Sequence, residues 1–212
     1  MIRAFVRFFL RALYHPLAGI YDPVSWVVSA GQWRQWQVAA LPYVRGPRVL
    51  EIAHGTGHML QALRAAGLAP VGVDESPAMG ALAQRLNPEI SLTRARVQAL
   101  PFPSAHFDTL LSTFPTEFIV DPRAIAEFGR VLKPGGALVC VPSAQLIGPG
   151  VLDSFARWLF RVTGQAAPEA IQAEVWAQWV ERYAAQGFAA RVEQVALPRS
   201  VVTVLIATRP ER

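Results

Sequence analysis

The stretch Arg48-Val49-Leu50-Glu51-Ile52-Ala53-His54-Gly55-Thr56-Gly57 decides the fold. Its first half is a short apolar run of buried-strand length, and its second half is a glycine turn. A helical pattern then runs from about His58 to Ala66, with Met59, Leu60 and Leu63 on one face and Gly67 as its stop. A strand that feeds a helix through glycines brings backbone N–H groups of the helix start to bear on a ligand.

Working outward, Pro70–Val73 reads as a second strand ending on Asp74. Ser76-Pro77 opens a second helix, Ser as N-cap and Pro in the first turn, with Met79, Leu82 and Leu86 on its inner face. A weaker strand is expected near Ile90–Thr93 and a strong one at Phe107–Thr113. Asp121-Pro122 caps a third helix carrying Ile125, Phe128 and Leu132 inward, Pro134-Gly135-Gly136 breaks it, and Ala137–Val141 is the next strand. Such alternation implies a mostly parallel twisted sheet with right-handed crossovers and helices on both faces. Leu152–Arg161 and Pro168–Gln186 read as helices. Phe188–Leu197 and Ser200–Arg209 read as a C-terminal antiparallel hairpin, an ending that ordinary dinucleotide-binding domains lack. The expected fold class is therefore α/β, a single Rossmann-like domain over residues 1–212.

Composition narrows the classes further. Hydrophobic residues make up 52% and charged residues 17%, which excludes a disordered chain and a coiled coil. Apolar runs are interrupted well before the roughly 18 residues of a membrane span. One cysteine, Cys140, precludes an internal disulfide framework and fits a cytoplasmic location. The N-terminus is basic and apolar, but Arg3, Arg7 and Arg11 leave no clean apolar core and no small-residue cleavage site follows, so it reads as retained. The net charge of +5 is carried by scattered arginines with no run of four, a solvated surface rather than a nucleic-acid footprint.

The site is expected outside the carboxyl ends of the strands, where strand order reverses. There the first strand delivers Glu51 and the Ala53–Gly57 turn, and the second strand delivers Asp74, whose carboxylate suits the paired hydroxyls of a ribose. A phosphate-binding P-loop needs a Lys after its glycines, yet the only lysine is Lys133. A nicotinamide fingerprint needs Gly where Ala53 stands, and no Tyr lies four residues before Lys133. His–Cys metal spacing and a Gly-x-Ser-x-Gly turn are absent as well.

Four ordered segments carry a resemblance: Val49 to Gly57; Val71-Gly72-Val73-Asp74-Glu75-Ser76-Pro77-Ala78-Met79; Leu100-Pro101-Phe102-Pro103 leading to Phe107-Asp108; and Arg130-Val131-Leu132-Lys133-Pro134-Gly135-Gly136. Over roughly residues 45–142 the chain resembles the class I S-adenosylmethionine-dependent methyltransferases, in particular the type 11 group related to quinone and small-molecule methylation. The resemblance implies S-adenosylmethionine as cofactor and S-adenosylhomocysteine as product. It implies that Glu51 with Ala53, His54, Gly55, Thr56 and Gly57 holds the methionine end, that Asp74 holds the ribose with Glu75 also in the cofactor site, and that Met79 packs near the adenine. Val97 and Gln98 would line the adenine edge, and Phe114 would face the methyl-donor end. Two positions depart from the pattern: Ala53 stands where Gly is usual, and Arg96 where an Asp often accepts from the adenine amine, which Arg cannot do.

Methyl transfer from a sulfonium is an in-line displacement, so the protein mainly aligns the partners and excludes water, and a base is needed only for a protonated acceptor. Candidates for that role are Glu117, just past the strong strand, and His54 and His58, beside the glycine turn. Each has a plainer alternative, Glu117 as a solvated loop carboxylate and the histidines as packing or helix-start residues. His106 lies on the opposite edge of the sheet, and His15 matters only if the N-terminal segment folds over the site.

Residues 1–45 are expected as a helical lid, 46–142 as the cofactor-binding core, 143–186 as a helical insertion shaping the acceptor pocket and 187–212 as the hairpin. Within residues 1–14 an arginine stripe alternates with Phe5, Phe8 and Phe9, which suits a lid and also suits weak membrane-surface contact. Tyr21-Asp22 and Trp33–Trp36 are placed to close over the cofactor, and Trp158, Leu159 and Phe160 sit in the insertion. This aromatic supply points to a small apolar or aromatic acceptor. Nucleic acid is not expected, since Phe114-Pro115-Thr116-Glu117 stands where a base-methylating enzyme carries an Asn-Pro-Pro-Tyr motif. The alternative reading is a cofactor-binding relative without transfer activity, a binding or membrane-peripheral module. Oligomeric state is not legible.

Overall fold

A computed structural model describes residues 18–150, 153–154 and 169–211. The arginine–phenylalanine stretch of residues 1–14, His15, and the Trp158–Phe160 cluster lie outside the described residues.

The helices are α1 (Tyr21–Val28), α2 (Trp33–Val38), α3 (His58–Ala65), α4 (Pro77–Leu86), α5 (Pro122–Val131) and α6 (Glu169–Ala184). The strands are β1 (Arg48–Ile52), β2 (Ala69–Asp74), β3 (Leu92–Arg94), β4 (Phe107–Thr113), β5 (Leu132–Leu146), β6 (Ala189–Leu197) and β7 (Ser200–Thr208). They form one sheet in the order β3-β2-β1-β4-β5-β7-β6. The first five strands pair in parallel, and β7 runs antiparallel between β5 and β6. Order reverses between β1 and β4, so the crevice expected of such sheets falls at their carboxyl ends. The expected α/β class, with its closing hairpin, is what the chain adopts.

Local rules account for the elements. Ser76 accepts from the Met79 N–H with Pro77 at the first turn of α4, and Asp121 accepts from the Arg123 N–H with Pro122 opening α5. In α5 the buried residues Ala124, Ile125, Phe128 and Val131 form one stripe. Central β4 is buried on both faces, as a strand covered on both sides must be. Two apolar clusters flank the sheet. One contains Leu50, Phe107, Phe128 and Tyr183, and the other joins Trp36, Ala39 and Ala40 of the N-terminal segment to Val49, Leu111 and Val139.

Three details differ from expectation. Leu132 is not on α5 but opens β5, paired with Phe107, because Lys133 precedes a proline and is steered out of the helical region. The Lys133–Gly136 segment then loops out as a bulge rather than ending the element, since the register passes from Phe107–Leu132 to Thr109–Ala137. On α4 the deepest residues are Met79 and Ala83, while Leu82 and Leu86 are half-buried. Among the described residues no helix is long and apolar enough to cross a membrane.

Candidate functional site

At the carboxyl end of β1 the chain turns through Ala53 (φ 54°), Gly55 (φ 56°) and Gly57 (φ 87°). Gly57 is required twice over. Its φ is left-handed, and a Cβ there would stand 2.8 Å from the Asn87 amide and 2.9 Å from Ala83 Cβ, so α3 and α4 could not approach as they do. Asn87 in turn donates to the Gly57 carbonyl at 3.0 Å. Ala53 tolerates the same backbone region at a cost of about 1–2 kcal/mol, which gives the usual glycine at this position its physical reason. A second strained residue, Phe114 (φ 52°), closes the adjacent strand β4, its N–H bonded to the Val141 carbonyl at 2.7 Å. Positive-φ residues thus stand at the ends of two neighbouring strands.

Asp74 organises the next loop. Its carboxylate accepts from the Gly55 N–H (3.0 Å) and the Ser76 N–H (2.8 Å), tying the glycine turn to the end of β2. Glu51 lies beneath, 1% exposed, with Oε2 lacking a partner among the described residues. Burial first, and then the charge of Asp74, hold its carboxyl well above the ordinary range, against the pull of the Leu60 N–H. A carboxyl whose folded pKa is raised stabilises most below its unfolded pKa and loses that contribution as pH rises through the folded value. Glu51→Gln, which does not titrate, is therefore expected to melt measurably above wild type near pH 8, where the wild-type carboxyl must either stay protonated or ionise in the interior. The gap should close near about pH 5. A gap that is independent of pH would show that Glu51 ionises freely.

The Ala95 N–H donates to the Asp74 main-chain carbonyl (3.2 Å), so the Arg96–Gln98 loop starts beside the end of β2. Gln98 donates to Asp121 Oδ2 at 3.0 Å, and the exposed side chains of Arg96 and Glu75 pair at 2.9 Å. Val97 and Gln98 are half-buried, and Met79 is fully buried. The loop is braced from α5 in a way sequence reading did not foresee. Arg130 donates to the Leu100 and Phe102 carbonyls (2.8 and 2.7 Å), and Glu127 accepts from the Leu100 N–H (2.8 Å). An Arg three residues after a Glu on one helix was the available signal.

The base candidates are not brought together. His54 is buried, its ring packed where a Gly72 side chain would stand and its Nδ1 2.9 Å from the Gly55 carbonyl. Burial lowers its pKa, opposed by the charge of Asp74. His58, at the start of α3, donates from Nε2 to Asp22 at 2.8 Å. Glu117 is exposed at the head of the 3-10 turn Glu117–Val120.

The aromatic residues of the N-terminal segment do converge on this edge. Trp33 stacks on Phe114 with centroids 4.1 Å apart and planes at 25°, Tyr21 meets Trp33 edge-on at 6.2 Å, and Trp36 lies 6.0 Å from Phe114. Gln37 donates to Thr113 Oγ1 at 3.1 Å, fixing α2 to the end of β4.

Residues 50–140 match the family described as methyltransferase domain. The likeness is thus to methyltransferases, and the matched family model spans less than half of the chain. Among curated proteins it is similar to the demethylmenaquinone methyltransferase of Renibacterium salmoninarum, 38% identical over 132 residues that cover 60% of this chain and 56% of that protein. It is also similar to the ubiquinone/menaquinone biosynthesis C-methyltransferase UbiE of Nitrobacter hamburgensis, 29% identical over 171 residues covering 72% and 67%. The chain thus spans little more than half the length of the first relative. Among solved structures, the PH0226 protein of Pyrococcus horikoshii superposes with a TM-score of 0.58 at 20% identity, over 84% of this chain and 92% of that one, a likeness of fold. Two of the methyltransferase domain's loose motifs turn out to meet. Lys133 pairs with Asp108, which also accepts from the Arg48 N–H at 3.0 Å, so both brace the base of β1 and β4.

Proposed function

We propose that the chain binds S-adenosylmethionine at the carboxyl ends of β1, β2 and β4 and methylates a small, apolar, aromatic acceptor of the quinol class. The residues fit the cofactor. Glu51 offers a buried oxygen without a partner among the described residues, Gly55 leaves open space where a Cβ would meet nothing within 4 Å, and Asp74 is held where a ribose diol would meet it. In this reading Glu51 and residues 53–57 hold the methionine end, Asp74 and Glu75 the ribose, and Met79, Val97 and Gln98 the adenine. Residues 1–45 act as lid, 46–142 as cofactor core, 143–186 as acceptor-shaping insertion and 187–212 as closing hairpin of one domain.

The observation that carries the acceptor class is the Trp33–Phe114 stack beside the glycine turn. A flat apolar ring is the ligand such a platform suits, and the relatives' names speak of quinones. When bound, the cofactor supplies a sulfonium methyl. Tyr21, Trp33 and Phe114 exclude water and align the acceptor ring. Transfer of that methyl would leave a neutral thioether and would require the acceptor carbon to give up its proton. Glu117, at the solvent edge, is the group in this reading that takes it. His54 and His58 are held by Gly55 and Asp22 and serve the loop.

The test is turnover of S-adenosylmethionine with a panel of reduced naphthoquinols, catechols and small amines, followed by product mass and S-adenosylhomocysteine release. Methylation confined to the quinols is expected. Methylation of amines alone would overturn the acceptor class, and tight cofactor binding without any turnover would favour the non-transferring relative.

A further inference from the structure

Helix α1 is fastened to the glycine turn by one side chain. Asp22, in its first turn, accepts from Thr56 Oγ1 at 3.0 Å through one carboxylate oxygen and from His58 Nε2 at 2.8 Å through the other. Thr56 belongs to the glycine turn and His58 opens α3, so one carboxylate bridges both sides of the loop proposed to hold the cofactor's methionine end. The turn just before α1, Ala18–Ile20, lies against α4. The segment 18–28 therefore crosses from α4 to α3, over the gap between the ends of β1 and β2 where Glu51, Gly55 and Asp74 sit.

Apart from this and the edge-on contact of Tyr21 with Trp33, α1 is lightly buried. Its one buried residue is Ser25, while Trp26 and Val27 are exposed by 58% and 49%. The next helix is fixed much more firmly. In α2, Trp36 is 1% exposed and donates to Ser200 Oγ at 2.8 Å. Between the two helices, Ala30 (φ 49°) and Gly31 (φ 81°) are consecutive left-handed residues, a sharp joint. A Cβ on Gly31 would come within 3.2 Å of the Trp26 indole, so the joint is closely packed in the closed arrangement. A firmly anchored α2, a joint, a weakly buried α1 and a two-pronged carboxylate at its tip are the parts of a hinged cover.

We propose that Asp22 is the positioning residue that clasps this cover shut, and that its bonds to Thr56 and His58 set the rate at which S-adenosylmethionine and its product exchange. The inference rests on the cofactor reading above. Asp22 need not touch the cofactor; it acts through Thr56 and His58. Because the clasp closes the site both with and without ligand, weakening it speeds loading and release together and leaves their ratio nearly unchanged.

The experiment is stopped-flow tryptophan fluorescence of the full chain mixed with S-adenosylhomocysteine, with release measured by displacement, for wild type, Asp22→Ala, Asp22→Asn and Thr56→Val. Asp22→Ala is expected to raise both rate constants about 10- to 100-fold, the range a charge-assisted hydrogen bond spans. The dissociation constant should move by less than about 3-fold. Asp22→Asn, which keeps an acceptor for Thr56, should fall between, whereas Thr56→Val, at a residue of the binding turn itself, should also lose affinity. Melting curves identify which variants are folded. Unchanged rates in a folded Asp22→Ala would overturn the clasp. Faster release alone, with affinity lost in proportion, would also overturn it and make Asp22 an ordinary binding contact. Wild type that fails to bind S-adenosylhomocysteine at all would overturn the cofactor reading itself.

Discussion

Asp74→Ala should lose saturable binding of S-adenosylmethionine and S-adenosylhomocysteine while remaining folded. The carboxylate does two things at once. It holds the Gly55 and Ser76 N–H groups, at 3.0 and 2.8 Å, and so sets the spacing of the two loops. In the proposed complex it is also the partner of the ribose hydroxyls. Hydrogen bonds to a charged group are worth about 1.5–3 kcal/mol each, so losing two or more weakens binding by roughly 100-fold at the least. Calorimetric titration of both proteins with each ligand measures this directly. Asp74→Asn, able to accept one of the two backbone bonds, should retain part of the affinity. An alanine variant that bound as tightly as wild type would remove the nucleoside from the end of β2.

The largest effect on stability is expected from Trp36→Ala. Trp36 is among the largest fully buried side chains and ties α2 to β7 through Ser200, whose hydroxyl passes the bond on to Gln32 Oε1 at 3.1 Å. Truncating a buried Trp costs about 3–5 kcal/mol, and in a domain of this size each kcal/mol lowers the melting point by about 2–4 °C. A fall on the order of 10 °C should therefore be seen by calorimetry. Trp36→Phe, which keeps most of the volume and loses the N–H donor, should cost about 1–2 kcal/mol. A truncated protein with an unchanged melting point would mean that α2 is docked without contributing to cooperative unfolding.

The parallel core was legible because it depends on short-range patterns. A buried run followed by Gly55-Thr56-Gly57, and Ser-Pro and Asp-Pro at two helix starts, each have one economical backbone solution. The hairpin was legible for the same reason. What escaped depends on contacts distant in sequence. Arg130 and Glu127 brace the Leu100–Phe102 loop from 28 or so residues away, and no local pattern in α5 says what that pair will hold. Asp22 could be named as part of a cover, yet its two partners lie 34 and 36 residues on. Ala53 was visible as a departure, but only the turn itself shows that the departure is conformational. The assignment of Leu132 to a helix failed because apolar periodicity continued past the point where the following Lys-Pro had already redirected the backbone. The base candidates remained ambiguous on sequence because a histidine beside a glycine turn is equally at home as packing, and the positions of His54 and His58 favour that simpler role.

The sheet's two borders have a consequence for how the protein behaves in crowded solution. A foreign strand seeking to extend the sheet would meet, on one side, β3, with just three residues of ladder to offer. On the other side it would meet β6, where Arg191 and Glu193 form an ion pair at 2.8 Å and the Tyr43 hydroxyl donates to the same glutamate at 2.8 Å. Stubby and charge-bearing borders are how sheets resist recruiting one another. A chain with 52% hydrophobic residues can thus keep its apolar strands in the interior of the sheet and present neither rim as a template for aggregation.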